Sequence, residues 1–454
     1  MISSWLSIVL MLIAFAATTF AYPYVLAFAR KHNIVDNPNA RKLQRVPVPV
    51  MGGSAVSIGF LLAVIVGIAI VPNNNIIVFT ILLMVMYAIG VWDDIKDVSA
   101  AFRFLVELVV VWMMILFLNV EINDFHGFLG IHGVPDSVSV PLSLVSGVGI
   151  MNAINLIDGV DGYCSTYGMM ACAIFACVFY TAGDMTMFAL SLIGIGALIP
   201  FFFHNVFGRA SKMFLGDGGS LMLGTLLSYL VFSILTDGSQ CDIVFGDTGL
   251  SLVALSLAVL AVPVFDTLRV MIFRVIKGHS PFHPDKTHLH HLFIEMGYSH
   301  LATSGLIVLG NIVIVGVLLL GWWLGAGATG QTLIVIASAL LFTWGFYFFM
   351  EGHHRRNDGD GTVLWQRACR RGAKTHLSST PIWRFLRHLV DSKLLGEGLL
   401  KKPVVAAVTK TNKPKLDPRL GEATNNAVKP VSSSESTSSL AEESHPKVGL
   451  DSTD

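Results

Sequence analysis

Apolar runs long enough to cross a bilayer recur through the first 350 residues of this 454-residue chain. A transmembrane helix needs about 20 predominantly apolar residues, within a range of about 17 to 25. Charged residues make up only 13% of the chain, roughly half of the share that is usual in soluble proteins. The sequence therefore predicts an all-α polytopic membrane protein with about eleven transmembrane helices, at residues 4–28, 51–71, 76–92, 102–119, 139–157, 166–182, 185–203, 218–236, 248–266, 301–324 and 328–350.

Lysine and arginine are confined to alternate loops between these runs, although the formal net charge of the chain is zero. The loops 29–50, 93–103, 204–217 and 267–300 carry them, as does the chain beyond residue 350, whereas the intervening loops carry none. Because basic residues favour cytoplasmic loops, eleven spans place the N-terminus outside and the C-terminus in the cytoplasm. The predicted location is the cell inner membrane, with the lipid bilayer as a partner and no nucleic-acid partner.

A change in composition divides the chain into a predicted transmembrane domain at 1–350, a cytoplasmic basic segment at 351–402 and a disordered tail at 403–454. Polar residues and proline dominate the tail, which cannot bury a hydrophobic core. Within the basic segment, residues 381–395 have the pattern of a basic amphipathic helix. Such a helix either lies on the cytoplasmic leaflet or packs against another part of the protein.

Acidic residues cluster at the predicted cytoplasmic ends of the spans, where ionisable groups are costly and are therefore functional candidates. Asp93 and Asp94 directly follow the third run, and two adjacent carboxylates need a cation or a shared proton. The alternative is a solvated loop that ends the helix. These two residues are therefore candidates for chemistry that involves a cation or a proton.

Polar residues recur every third position in the segment 152–162, which ends in two Asp-Gly steps at 158–159 and 161–162. Four of them would share a helical face if the helix continues. The two glycines indicate a backbone that loosens to approach a ligand, whereas the alternative is a structural polar stripe between spans. The four residues are Asn152, Asn155, Asp158 and Asp161.

Asp217 lies among glycines in the segment 214–220, at the start of the eighth run. A helix N-terminus supplies backbone N–H groups beside this carboxylate, and the glycines allow a phosphate to approach closely. The combination suits Mg²⁺ carrying a pyrophosphate. A helix cap alone would explain the aspartate but not the glycines.

Three histidines, His288, His290 and His291, lie within four positions of the chain. A zinc site is one interpretation, but neither a cysteine nor an HExxH spacing accompanies them. With Arg274 and Lys277 nearby, the pattern favours an anion clamp for phosphates. The four clusters together offer carboxylates, close phosphate approach and cations, which phosphoryl transfer between two anions requires.

Six motifs, in order, resemble the polyprenyl-phosphate N-acetylhexosamine-1-phosphate transferase family, and particularly its bacterial WecA-type members. They are RKLQRVPVPVMGG (41–53), GVWDDIKD (90–97), NAINLIDGVDG (152–162), FLGDGGS (214–220), PVFDTLRV (263–270) and SPFHPDKTHLHH (280–291). The His-x-His-His ending is more similar to the branch that uses UDP-N-acetylglucosamine (UDP-GlcNAc) than to the peptidoglycan translocases.

The resemblance implies an eleven-helix fold with its active site in a cytoplasmic-face cleft. It implies a transferase that moves GlcNAc-1-phosphate from UDP-GlcNAc to undecaprenyl phosphate and releases UMP, and so initiates O-antigen or related lipopolysaccharide synthesis. A UDP-sugar donor and a polyprenyl phosphate acceptor are then the substrates, and Mg²⁺, or Mn²⁺ in its place, is the cofactor. A homodimer is a further expectation, because dimers are common among such proteins.

The resemblance also assigns roles to single residues. Asp217 is the expected metal ligand, and Asp93, Asp94, Asp158 and Asp161 are the expected catalytic residues. The reaction proceeds either by direct attack of the lipid phosphate, which is favoured, or through a covalent aspartyl intermediate. The expected substrate-binding residues are Lys42, Asn152, Asn155, Asn205, Arg269, His288, His290 and His291.

Three other functions are compatible with parts of the sequence. A peptidoglycan translocase would use the same chemistry with a UDP-MurNAc-peptide, but the His-x-His-His form argues against it. Another UDP-N-acetylhexosamine would also preserve the chemistry. A transporter with polar half-helices near the bilayer midplane fits loosely, although the charged motifs cluster at one face instead.

Overall fold

The computed structural model describes residues 2–36, 47–280, 287–350 and 380–391. Two predictions fall outside this part of the chain: the substrate-binding role of Lys42 and the disordered tail at 403–454. The described residues are mostly helical, as the apolar runs predict.

Ten helices among the described residues are long and apolar enough to cross a membrane, and they match ten of the eleven predicted runs. The prediction of a polytopic membrane protein is therefore confirmed. The last span, Ala328–Met350, begins as α14 (Ala328–Leu340) and continues through a π-helical turn at Leu341–Gly345. The other nine are α1 (Ser4–Lys31), α2 (Gly52–Ile70), α3 (Asn74–Lys96), α4 (Ala100–Leu118), α5 (Asp136–Leu156), α6 (Tyr163–Ala182), α7 (Met185–Phe207), α8 (Gly216–Leu235) and α13 (His300–Trp323).

The ninth run, predicted as one helix at 248–266, is divided at Leu260 into two helices, and a sharp bend at 249–251 precedes the first of them. The prediction of one continuous helix there is wrong. Gly249 has a φ of 72°, and the Ser251 side chain caps a new helix by accepting a hydrogen bond from the N–H of Ala254. The helices before and after this break differ in direction by 108°, and counting them as one span would raise the total to eleven. Continuous apolar character hides such breaks. The pieces are α9 (Gln240–Phe245), a 3-10 turn (Gly246–Thr248), α10 (Leu252–Val259) and α11 (Ala261–Ile276).

Two short antiparallel hairpins depart from the all-α prediction. β1 (Val35–Asp36) pairs with β2 (Val48–Pro49), and β3 (Asp124–Phe128) pairs with β4 (Ile131–Gly133). After β2 the chain continues into a parallel bridge between Val50 and Phe214. The first hairpin therefore joins the segment before α2 to the segment before α8.

α8 is the central helix of the bundle, and its whole membrane-length window is buried inside the protein. Glycines let neighbouring backbones approach its N-terminal end. A Cβ atom on Gly53 of α2 would lie 2.9 Å from the carbonyl oxygen of Leu215, and one on Gly90 of α3 would lie 2.5 Å from the backbone nitrogen of Gly218. These motif glycines bring α2 and α3 against the start of α8.

The amphipathic helix predicted at 381–395 is present as α15 (Pro381–Asp391). It packs against the end of α7, where the ring centroids of Trp383 and Phe207 are 4.8 Å apart. The contact with α7 shows that the helix packs on the protein, and its position on the cytoplasmic leaflet stays a prediction. Two of its apolar side chains face outward, with 73% of Ile382 and 65% of Phe385 exposed.

Candidate active site

Two aspartates, one from α3 and one from the loop after α5, cap the N-terminus of α8. Asp94 accepts hydrogen bonds from the backbone N–H groups of Asp217 (2.9 Å, Oδ1) and Gly218 (3.1 Å, Oδ2). Asp158 accepts another from the N–H of Gly216 (3.1 Å, Oδ2). The first N–H groups of a helix lack intrahelical partners and carry partial positive charge, so carboxylates stabilise them.

These contacts correct the expectation that the α8 N-terminus and its glycines receive a phosphate. The N–H groups already have carboxylate partners. The glycines allow close packing of protein atoms: a Cβ atom on Gly216, whose φ is 77°, would lie 2.6 Å from Oδ2 of Asp94. One on Gly218 would lie 2.7 Å from the side chain of Val91. The glycines of this motif are therefore explained by the close packing that brings the carboxylates together.

Asp217 has a more exposed side chain than the neighbouring Asp93. Its Oδ1 accepts a hydrogen bond of 2.6 Å from the amide of Asn155, which also donates to Ser220 (2.9 Å). Its side chain is 36% exposed, whereas that of Asp93 is 12% exposed. Asn155 therefore orients one oxygen of Asp217 and leaves the other available.

Arg103 connects the carboxylates of the second and fourth motifs, and the sequence did not identify it as a site residue. It donates to Oδ2 of Asp93 (2.9 Å), whose Oδ1 accepts from the N–H of Val98 (2.8 Å). The same guanidinium nitrogen lies 3.8 Å from Oδ2 of Asp217. Arg103 thus balances part of the negative charge of both aspartates.

Asn152, predicted to bind substrate, instead contacts a buried acid that the sequence analysis missed. Its amide donates to Glu107, which is fully buried, and to the carbonyl of Val148 (3.0 Å). Glu107 also lies 3.6 Å from Arg103, one helical turn away. The i, i+4 spacing of Arg103 and Glu107 inside an apolar run was the available signal.

Asp161 lies in an ion cluster beside the loop that carries Asp158. Its Oδ2 accepts a hydrogen bond of 2.6 Å from Lys212 and lies 3.0 Å from Nδ1 of His300. Although burial acts to raise it, His300 and Lys212 lower the pKa of Asp161, which is therefore ionised at neutral pH. Lys212 and His300 lie outside the six motifs, so motif reading could not connect them to Asp161.

Asp158 has the opposite electrostatic environment. Burial and the charges of Asp217 and Asp94 raise its pKa well above the usual value of an aspartate. Asp158 and Asp161 are three residues apart, yet their surroundings shift the two pKa values in opposite directions. Burial and neighbouring carboxylates raise the pKa of Asp158, whereas neighbouring cations outweigh burial and lower that of Asp161.

Asn205, another predicted substrate-binding residue, bridges two backbone segments. Its Oδ1 accepts from the N–H of Gly162 (2.6 Å) and its amide donates to the carbonyl of Met213 (2.8 Å). The residue is buried, with 4% exposure. Through these contacts Asn205 holds the Asp161 loop against the segment that leads to Asp217.

Asp266 organises the histidine motif, although sequence analysis selected its neighbour Arg269. Oδ2 of Asp266 lies 3.0 Å from Nδ1 of His288 and accepts from the N–H of Leu289, at the start of α12 (Leu289–Glu295). Oδ1 accepts from Arg269 at 2.7 Å. Burial acts to raise the pKa of Asp266, but His288 and Arg269 outweigh it and lower this pKa to about 2.

His290 places the histidine motif beside the Asp158 loop. A Cβ atom on Gly159 would lie 2.8 Å from Nε2 of His290, so a larger residue there would have to displace the His290 ring. The His290 ring lies 5.7 Å from that of His288 and 4.3 Å from that of His291. Burial and the two flanking histidines lower the pKa of His290 well below its usual value, so it can hydrogen-bond a phosphate without adding positive charge.

Two buried nitrogen atoms, one in this motif and one in α11, have no hydrogen-bond partner within the described ranges, which omit 281–286. They are Nε2 of His288 and Nη1 of Arg269. Nη1 of Arg269 is a donor and suits an anionic oxygen, whereas Nε2 of neutral His288 is an acceptor, because the Nδ1 proton faces Asp266. An unpaired buried polar atom is costly, so both groups call for a ligand or a further contact.

The carboxylate cluster suits a magnesium ion better than the histidines suit zinc. Across the described residues, no three His, Cys, Asp or Glu side chains are arranged to hold a metal ion by themselves. Mg²⁺ is usually held by one or two carboxylates together with substrate phosphates and water. Asp217, oriented and partly exposed, meets that requirement.

The segment that carries most of this site is similar to known proteins. The model of Glycosyl transferase family 4 matches residues 76–235, the stretch that carries Asp93, Asp94, Asn155, Asp158 and Asp217. A relative from Bacillus subtilis (strain 168), named a probable undecaprenyl-phosphate N-acetylglucosaminyl 1-phosphate transferase, is 32% identical over 279 residues, covering 61% of this chain and 74% of the relative. The chain belongs to this glycosyl transferase family.

Two further relatives extend the similarity. The decaprenyl-phosphate N-acetylglucosaminephosphotransferase of Mycolicibacterium smegmatis is 30% identical over 358 residues, covering 71% of this chain and 83% of the relative. The undecaprenyl-phosphate alpha-N-acetylglucosaminyl 1-phosphate transferase of Escherichia coli (strain K12) is 28% identical over 301 residues, covering 65% and 78%. The resemblance inferred from the six motifs is thereby confirmed at the level of the family.

Proposed function

We propose that this family member transfers GlcNAc-1-phosphate from UDP-GlcNAc to undecaprenyl phosphate, releasing UMP and forming a lipid diphosphate sugar. The observation that carries the proposal is the convergence of Asp93, Asp94, Asp158 and Asp217 around the start of α8, with Arg103 in contact with two of them. Such an excess of carboxylate attracts a divalent cation. The names of the relatives support the sugar and the lipid.

In this proposal Asp217 holds Mg²⁺, and Asn155 fixes the orientation of the carboxylate. The bound ion, or Mn²⁺ in its place, would neutralise the pyrophosphate charge that otherwise opposes attack by a second anion. Asp94 and Asp158 act as positioning residues because they hold the α8 N-terminus. Asp93, fixed by Arg103, positions the lipid phosphate or takes its proton for direct attack on the sugar-linked phosphorus.

The histidine motif completes the proposed donor site. Arg269 presents its unpaired Nη1 donor to the phosphates of the UDP-sugar, and His288 presents Nε2 to its phosphates or nucleotide. His290 and His291 extend the same surface toward Asp158. A hydrogen bond to a charged phosphate stabilises it by about 1.5–3 kcal/mol, and His290, whose pKa is lowered by burial, can make one without added charge.

The proposed topology has the N-terminus outside, the C-terminus in the cytoplasm and this site open to the cytoplasmic face of the inner membrane. It rests on the distribution of lysine and arginine along the chain. The exposed apolar side chains of α15, beside the basic Arg384, suit a helix at the lipid interface. The lipid product would initiate O-antigen or related surface glycan synthesis.

The test is UMP release by the purified full-length protein in detergent, with Mg²⁺, undecaprenyl phosphate and UDP-GlcNAc each omitted in turn. Release that needs all three supports the proposal. Release of UMP with a UDP-MurNAc-peptide or another UDP-sugar, and none with UDP-GlcNAc, would identify that compound as the donor. Substrate flux through proteoliposomes without release of UMP would indicate a transporter instead of a transferase.

A pair of variants tests the metal ligand. Asp217→Ala should abolish UMP release and leave the melting temperature close to that of the unaltered protein. Asp247→Asn is the control, because Asp247 is exposed on the 3-10 turn after α9. Near-normal turnover by Asp217→Ala would exclude Asp217 as the essential ligand.

A further inference from the structure

α15 lies beyond the segment matched by the family model, yet it contacts a turn close to the candidate site. Trp383 packs on Phe207 at the end of α7, and Val390 is buried, with 6% exposure. These contacts bring the last residue of the helix, Asp391, to the turn at 209–211 that follows α7.

The carboxylate of Asp391 fills a nest of donors in this turn. Its Oδ2 accepts a hydrogen bond from the N–H of Arg209 (3.0 Å) and another from that of Ala210 (3.4 Å). Its Oδ1 accepts from the N–H (3.0 Å) and the hydroxyl (2.7 Å) of Ser211. Consecutive N–H groups arranged in this way bind anions, and here the anion belongs to the chain itself.

The position of Asp391 on its own helix makes this contact informative. A carboxylate at a helix C-terminus is repelled by the helix dipole, so local helix energetics disfavour aspartate there. The four donors of the turn compensate for that repulsion. The sequence therefore places an unfavourable helix-ending residue where it binds a distant turn.

Two residues of α1 contact the same turn through its carbonyl groups. Arg30 donates to the carbonyl of Ala210, and the hydroxyl of Tyr22 donates to the carbonyl of Ser211 (2.9 Å). Both contacts use carbonyl groups, whereas Asp391 uses the N–H groups. The turn is thus fixed between α1 and α15.

The residue after this turn belongs to the candidate site. Lys212 donates to Asp161 at 2.6 Å, and the chain continues through Met213, which Asn205 holds, to Asp217. A shift of the turn would therefore move the Lys212 ammonium relative to Asp161. Displacements of about 1 Å in positioning groups cost up to about a hundredfold in rate.

We propose that Asp391 is a positioning residue, which fixes the 209–211 turn so that Lys212 stays paired with Asp161 in the candidate active site. The effect on turnover rests on the proposed transferase function, whereas the effect on the turn does not. α15 thereby supplies a part of the site that lies far along the chain from the six motifs.

Amide hydrogen exchange of the full-length protein in detergent tests the structural part. Asp391→Ala should speed exchange at 209–213 by about tenfold or more, because three N–H groups lose a charged acceptor. Asp391→Asn, which keeps one carbonyl acceptor, should give a smaller increase. His388→Ala, on the exposed side of the same helix, should change nothing in this turn. Unaltered exchange at 209–213 in Asp391→Ala would overturn the proposal.

A double-mutant cycle on UMP release tests the link to the site. Asp391→Ala should lower kcat/KM by about tenfold on its own, and by little when Lys212 is already Met, because both changes disturb one contact. Fully additive losses would overturn the route through Lys212. If the unaltered protein releases no UMP but exchange at 209–213 still responds, the transferase proposal fails and the positioning of the turn stands.

Discussion

Gly90→Ala is a one-methyl test of how α3 and α8 build the carboxylate cluster. The added Cβ would lie 2.5 Å from the carbonyl carbon of Asp217 and 2.5 Å from the backbone nitrogen of Gly218, whereas ordinary contact begins at 3.4 Å. Both atoms are backbone and cannot rotate away. The helices must therefore separate locally by about 1 Å, and overpacking of this kind costs about 1–3 kcal/mol.

The same displacement reaches the site because Asp94 is one turn along α3 from Gly90. Separation of the helices would lengthen the hydrogen bonds from Asp217 and Gly218 to the Asp94 carboxylate, now 2.9 and 3.1 Å. We expect a melting temperature lower by a few degrees and a loss of UMP release of about tenfold to a hundredfold.

Gly149→Ala is the matched control for this substitution. Gly149 also lies in a membrane-length helix, α5, but no atom of the described residues lies within 4 Å of its added Cβ. Alanine favours helix over glycine by about 0.5–1 kcal/mol, so this variant should be unchanged or slightly more stable. Equal stability and equal turnover in both variants, measured by thermal unfolding and UMP release in detergent, would refute the close-packing argument.

Three further predictions follow from the site. Chelation of Mg²⁺ should stop UMP release but leave the melting temperature within a few degrees, because Asp94 and Asp158 cap α8 without metal; cooperative unfolding on chelation would contradict this. His290→Ala should raise the KM for the UDP-sugar or stop the reaction, and unchanged kinetics would move the donor site elsewhere. The pKa of Asp266 falls from about 3.9 in the unfolded chain to about 2 in the folded protein, so ionised Asp266 should add about 2–3 kcal/mol to the free energy of unfolding above pH 4. This stabilisation should be lost as the pH falls through 2. The difference in unfolding free energy between Asp266→Asn and the unaltered protein should shrink over that pH range, and a constant difference would contradict the ion-pair explanation.

The sequence predicted the spans well because bilayer thickness imposes a length and an apolar character on each helix. It failed at 248–266, where a bend at 249–251 precedes α10 and Leu260 divides the apolar stretch after it into α10 and α11. It also failed to predict the β3–β4 hairpin, because short polar strands between spans have no distinctive period. Length and hydropathy therefore predict crossings better than they predict the connections between them.

For the site, the motifs identified the groups but not their partners. Pairing of Asn155 with Asp217 joins two motifs, whereas Lys212 and His300 reach Asp161 from outside every motif. Glycines were interpreted as room for a ligand, although Gly216 and Gly218 make room for protein atoms. Spacing along one segment does not specify which distant segment will fill the space.

The burial of α8 has a consequence for the order of assembly in the membrane. Helices are commonly inserted singly before they associate, yet α8 has no surface left for lipid in the finished bundle. Its two capping aspartates come from α3 and from the loop after α5, so its N-terminal amides stay uncapped until α8 packs against those segments. The reactive carboxylates therefore cannot gather in a half-built bundle. The candidate site then forms only when the surrounding helices have packed against α8.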